Sequence, residues 1–154
     1  MEVRSFTEIE EEFMNRVRRI VWCTVATVNR QGRPRSRILH TLREGSTRWI
    51  ATNRHSLKGK HLQHNPHVSL SYWDQQHQQI YADCTATWEE SLGEKRRLWN
   101  LYKNTPSPLG YDVGMFWKGP EDPQYGLLKL SPWRIELSSL DDLFKGILAK
   151  IWRP

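Results

Sequence analysis

WIATNRHSLKGKHLQHNPHVSLSYW, residues 49–73, decides how this chain is read. Both ends look like strands. Between them, residues 52–66 crowd Arg54, Lys58 and Lys60 together with His55, His61 and His64. A DNA-binding helix, a metal site and a phosphate cup all begin from such a segment. After Asn53 the pattern predicts a short helix with Ser56 at or near its N-cap. Leu57, His61 and Leu62 would form its inner face, and Asn65-Pro66 would stop it. A helix start offers unpaired N–H groups and a partial positive charge. Thr52 and Ser56 add hydroxyls, and Lys58 adds a full charge in the first turn. Such a set suits a phosphate monoester, and Arg35 or Arg37 on a neighbouring strand could reach the same anion. An ordinary capped helix with solvated basic residues has the same local pattern. For zinc the segment lacks ligands: His61 and His64 share a helical spacing, but no Cys or carboxylate joins them and Pro66 moves His67 into the next strand. We therefore expect no metal.

Outward from this segment, the rest reads as strands framed by helices. Thr7 and Glu10 have capping-box spacing, and Ile9, Phe13, Val17 and Ile20 recur with a helical period, giving a helix over about 8–18. IVWCTVATV (20–28) and RPRSRILHTL (33–42), joined by an NRQG turn, form a hairpin. Its second arm puts Arg35, Arg37 and Leu39 on one face, with Ser36 and Ile38 on the other. TRWIATN, VSLSYW and QIYADCTATW are further strands. Ser91 and Glu94 cap a helix carrying Leu98, Leu101 and Tyr102. Residues 104–123, rich in Pro and Gly, form a loop too long to be idle connection. GLLKL and WRIEL, around Ser131-Pro132, are the last strands. An amphipathic helix over about 140–152 closes the chain, with Leu140, Phe144, Ile147, Leu148 and Ile151 on one face. This order of hairpins and helices predicts a single domain over 1–154: mainly β (α+β), an antiparallel sheet curled into a barrel with flanking helices.

Composition narrows the function. The chain has 154 residues and a formal net charge of +6, which attracts phosphorylated molecules or nucleic acid. The basic residues are dispersed, and the eight tryptophans lie mostly in apolar strands rather than beside basic clusters, unlike a base-stacking platform. Nucleic acid is thus not the expected partner. Cys23 and Cys84 lie in apolar runs without CxxC spacing, as expected of thiols in a reducing compartment. No run approaches the ~18 apolar residues of a membrane span, and the acidic N-terminus has no signal-peptide core. The expectation is a cytoplasmic protein without membrane partners. No nucleophile–base pair stands out, which argues against hydrolysis.

Four motifs, in order, resemble those of the pyridoxamine 5'-phosphate oxidase-like flavoproteins, the FMN-binding split-barrel family. They are GRPRSRILHTL, WIATN, SLKGKHLQHNPHVSLSYW, and the strand opened by Gln79 in QIYADCTATW. The late Pro132–Leu137 segment is similar to the end of that barrel. The resemblance covers about Arg18 to Leu137. It implies an antiparallel split β-barrel binding FMN, with deazaflavin coenzyme F-420 as the alternative cofactor. Arg37, as a phosphate or ring contact, and the backbone of Ile38 to Leu42, Leu39 and His40 included, would run along the flavin, and Ala51 and Thr52 would lie beside its ring and ribityl chain. Ser56, Leu57 and Lys58 would hold the phosphate, and Gln79 would donate to the ring. The implied assembly is a homodimer with the site at its interface.

The resemblance further implies an FMN-dependent oxidoreductase passing two electrons to or from a small substrate, with a nicotinamide nucleotide as reductant. A non-catalytic flavin- or haem-binding protein is the alternative. Leu57 stands where the oxidase itself has Arg, Leu42 stands where it has Lys, and its C-terminal Trp/Arg motif has no counterpart beyond Trp133-Arg134. These departures count against vitamin B6 oxidation and leave nucleotide binding intact. Tyr111, Met115, Phe116 and Trp117 would wall the substrate pocket, or bury in the core or dimer seam. The sequence names no catalytic residue.

Overall fold

A computed structural model describes residues 1–154. In chain order the elements are β1 (Glu2–Val3), α1 (Thr7–Arg19), β2 (Trp22–Val28), β3 (Pro34–His40), β4 (Leu42–Glu44), β5 (Thr47–Asn53), α2 (Leu57–Leu62), β6 (His67–Trp73), β7 (Gln78–Trp88), α3 (Leu92–Asn104), β8 (Tyr125–Ser139), α4 (Leu140–Phe144) and β9 (Lys150–Trp152). A single 3-10 turn, Val113–Met115, lies in the long loop.

The strands form one nine-stranded sheet in the order β1-β9-β8-β7-β6-β2-β3, with β5 joined to β8 and β4 to β5. All pairings are antiparallel except β1 with β9. The architecture is mainly β, as the strand pattern predicts. One face of the curled sheet encloses Cys23, Val25, Leu70, Ile80, Cys84 and Ile135, and α1 closes it with Ile9, Phe13 and Val17. A smaller core lies between β5, β8 and α3, built on Trp49, Leu98, Trp99, Tyr102 and Leu127. No helix is long and apolar enough to cross a membrane.

Three details differ from the sequence reading. First, GLLKL and WRIEL are one strand: Cys84 faces Pro132 and Asp83 faces Arg134, so Trp133 is the extra residue of a bulge that absorbs the proline. Second, the cap of α1 lies earlier than Thr7–Glu10. Glu8 Oε1 accepts from the backbone N–H of Arg4 and of Ser5, each at 2.9 Å.

Third, no helix runs over 140–152. α4 stops at Phe144, where Gly146 (φ +69°) donates to Leu143 O and Ile147 N–H donates to Asp142 O. That bond pair is a Schellman motif, which needs a left-handed residue at the glycine position. The chain beyond it forms β9 between β8 and β1, where Trp152 packs on Phe6 at 5.2 Å between ring centroids.

Candidate functional site

β3 and β5 are the two sides of a gap. β3 bonds only to β2, leaving its other edge open. β5 bonds to β8 along its length, but β4 covers only its first three residues. Alternation in an antiparallel ladder turns every second peptide of β5 toward the gap. One of these is bridged by Tyr102: its hydroxyl donates to Trp49 O at 2.9 Å and accepts from Ala51 N–H at 3.1 Å. Burial holds the Tyr102 hydroxyl well above the usual phenol range, so it stays protonated.

A cleft of about 490 Å³ fills the gap. Leu39, His40, Ala51 and Thr52, all singled out in the sequence, line it. So do Trp22, Asn53 and the loop residues Pro108, Gly110, Tyr111, Met115, Phe116 and Trp117. His40 is the hinge of this wall. Its ring meets Trp22 edge-on at 5.4 Å and Tyr111 at 4.9 Å. Nε2 lies 3.2 Å from Pro108 O, so it carries the proton, and Nδ1 is buried without a partner. Burial pushes the imidazole below its ordinary pKa of 6.5, only partly offset by Pro108. Gly110 lets the loop close: a Cβ there would sit 2.2 Å from Thr105 O and 2.5 Å from Tyr102 O.

Beside the cleft, α2 and β3 gather positive charge. Ser56 is the N-cap of α2, but its side chain makes no cap bond and instead accepts from Lys58 Nζ at 3.1 Å. Burial, then the neighbouring Arg37, depresses the Lys58 pKa. Burial, then Arg35, does the same to Arg37. None of the three cations is in an ion pair. Arg37 is held in place by bonds to Val25 O at 3.3 Å and Thr27 Oγ1 at 2.8 Å. Thr27 Oγ1 also shares a hydrogen bond with His61 Nδ1, 2.9 Å away. His61 is thereby an internal tie between α2 and the sheet. Gly59 lets α2 pack against the turn that follows β5, since a Cβ would meet Arg54 O at 2.4 Å.

Three predicted residues stand apart. Ile38 is 60% exposed on the outer face, Leu57 is 45% exposed, and neither lines the cleft. Gln79 lies in β7, which β6 and β2 separate from β3, and accepts from Tyr81 and Ser138 hydroxyls at 3.1 Å each. Sequence reasoning missed Trp22, Tyr102 and Pro108. Trp22 had a signal, because the hairpin register sets it opposite His40. Tyr102 and Pro108 reach the site only through tertiary packing.

The family model for pyridoxamine 5'-phosphate oxidase matches residues 9–138, most of the chain. The chain belongs to this family. No curated protein matches it in sequence. Among solved structures, general stress protein 26 from Bacillus anthracis is 23% identical, with a TM-score of 0.68 over 84% of this chain and 93% of that one. A Clostridium acetobutylicum protein related to general stress protein 26 is 17% identical, with a TM-score of 0.73 over 95% and 94%. A pyridoxamine 5'-phosphate oxidase-related, FMN-binding protein from Nostoc punctiforme is 17% identical, with a TM-score of 0.64 over 90% and 86%. These relatives place the fold among the family's split barrels, and β3 and β5 form the split.

Proposed function

We propose that the protein binds FMN and serves as a two-electron oxidoreductase. One observation carries the reading: Lys58 and Arg37, both partly buried, have no acidic partner, and the Ser56 hydroxyl beside them is bonded only to Lys58. Such an arrangement costs free energy unless an anion joins it. A phosphate monoester supplies two charges and several acceptors. The adjoining cleft offers apolar and aromatic walls to a planar ring system, with Leu39 and Ala51 at its base and Trp22 and Tyr111 at its side. The residues therefore fit a flavin nucleotide.

When bound, FMN would supply hydride exchange at its N5 with a small partner, a nicotinamide nucleotide being the proposed reductant. The chain's own part is placement. Lys58, Ser56 and Arg37 fix the phosphate, Tyr102 keeps the β5 edge straight, and the 107–117 loop keeps water off one side. Deazaflavin coenzyme F-420 is the alternative cofactor.

A homodimer completes this reading. The outer face of the sheet shows Trp22, Ile38, Trp73, Tyr81 and Trp133 around the small Thr24, Ala26, Ser69 and Ser71. A second copy would cover that apolar surface and bring Gln79 of the partner subunit toward the cleft. The two cysteines are buried free thiols, which suits the cytoplasm.

The test is the visible spectrum of the purified protein, with mass spectrometry of what denaturation releases. A yellow protein releasing FMN supports the reading; a colourless protein that takes up no FMN overturns it. Steady-state oxidation of a reduced nicotinamide by the loaded protein separates an enzyme from a flavin carrier.

A further inference from the structure

A second, smaller cavity of about 120 Å³ lies behind the cleft wall. Val17, Ile20 and Val21 from the end of α1 line it, with Leu42, Leu101 and Leu109 opposite. Its polar lining is unusual: Arg43 and Arg48, with Thr41 and Thr105. Both hydroxyls are committed, Thr41 to Tyr72 at 3.0 Å and Thr105 to Leu101 O at 2.6 Å.

Arg48 is 2% exposed. Its Nη1 donates to the carbonyls of Gly45, Ser46 and Thr47 at 3.2, 3.4 and 2.9 Å. Its Nη2 is buried without a partner. Arg43 gives one nitrogen to Met14, O at 3.4 Å and Sδ at 3.2 Å. Neither arginine is in an ion pair. Burial, then Arg48 and Arg18, lowers the Arg43 pKa, and the Arg48 guanidinium carbon lies 4.4 Å from the centre of the Phe13 ring. A buried guanidinium normally has a carboxylate to answer it.

We infer that this cavity is a binding site for a small monocarboxylate with a short apolar tail. The carboxylate lies between Arg43 and Arg48, and the tail lies against Val17, Ile20, Leu101 and Leu109. Seating an oxygen on Nη2 takes a small swing of the Arg48 head toward the cavity. Size sets the class: a cavity of about 150 Å³ accommodates the six heavy atoms of benzene, so this one of about 120 Å³ takes roughly five to six. The wall is shared with the cleft. Thr41 follows His40 in the chain, and Leu109 follows Pro108, whose carbonyl His40 meets. An occupant would therefore stiffen the loop that closes the cleft. The site is independent of the flavin reading.

Thermal unfolding of the full-length protein with sodium butyrate, butyramide or sodium chloride at matched ionic strength tests it. Butyrate at about tenfold its dissociation constant should raise the midpoint by about 3–6 °C. Butyramide and chloride should not. R43Q should abolish the butyrate shift, while K58A, at the phosphate cup, should keep it. R43K, which retains the charge, should keep part of the shift and shows whether R43Q has merely misfolded. No response to butyrate up to several tens of millimolar overturns the inference. So does an equal response to butyramide, to chloride or in folded R43Q.

Discussion

Lys58 on α2 and Arg37 on β3 are two half-buried cations on elements tied to the same stretch of β2, and each has a hydroxyl where a carboxylate would be expected: Ser56 for Lys58, Thr27 for Arg37. Like charges so placed lower the stability of the ligand-free chain and raise its affinity for an anion. On the proposed reading, site and fold are in mild conflict until a phosphate arrives.

Removing one of the cations should show both sides of that conflict. Lys58→Ala should weaken FMN binding about 10- to 100-fold, from the ~1.5–3 kcal/mol of a charge-assisted bond. Riboflavin, which lacks the phosphate, should lose nothing. Flavin fluorescence titration of both ligands checks this; equal losses would place Lys58 elsewhere than on the phosphate.

The depressed Lys58 pKa has a stability sign. The unfolded chain holds this proton more tightly, so the folded state gains relative stability as pH rises from the folded pKa toward 10.5. Chemical denaturation of the flavin-free protein between about pH 8 and 10.5 should show this gain in wild type relative to Lys58→Met. A difference that is flat or falls with pH would contradict the crowding.

His40 titrates in the lower range. Its folded pKa lies below 6.5, so as pH falls below that value the unfolded chain takes up a proton that the folded one resists. Stability should drop with acidification through that window. Wild type minus His40→Gln, followed by denaturant unfolding from about pH 7.5 to 5, isolates the contribution. Protonation would also put a second N–H where Nδ1 has no acceptor, so the 107–117 loop should loosen in the same window, seen as Tyr111 and Trp117 becoming more accessible to quenchers.

Tyr102→Phe removes only the oxygen that bridges Trp49 O and Ala51 N–H. The orphaned backbone groups should cost about 1–3 kcal/mol in urea unfolding. FMN should still bind, but more weakly, because the β5 edge beside the cleft is no longer held.

Gly110→Ala asks for a Cβ where two carbonyls already stand. A loss of about 1–3 kcal/mol is expected, together with displacement of the loop from the cleft. A midpoint of thermal unfolding equal to wild type would show that the loop is free to move aside.

Much of this was legible in the chain. β5 ends at Asn53, Ser56 begins α2, and Pro66 precedes β6, because caps, proline and strand period act over a few residues. Arg37 and Leu39 share a face for the same reason. The C-terminal segment was misread because its apolar spacing suits a helix as well as a turn followed by a strand. Gly146 in the left-handed region and the pairing of Lys150–Trp152 with β8 and β1 decided the matter. Those partners are remote in sequence, so no local pattern announced them.

By itself, then, the sequence determined α1, the β2–β3 hairpin, β5 to β7, α3 and the basic cup after β5, all of which rest on short-range sterics and hydrogen bonding. Only the tertiary structure decided that β3 and β5 stay unpaired, that Tyr102 bridges the β5 edge, that His40 anchors the loop at Pro108, and that β6 and β2 separate Gln79 from β3. Each of these depends on which surfaces meet when the sheet curls, and chain closure over long separations sets that.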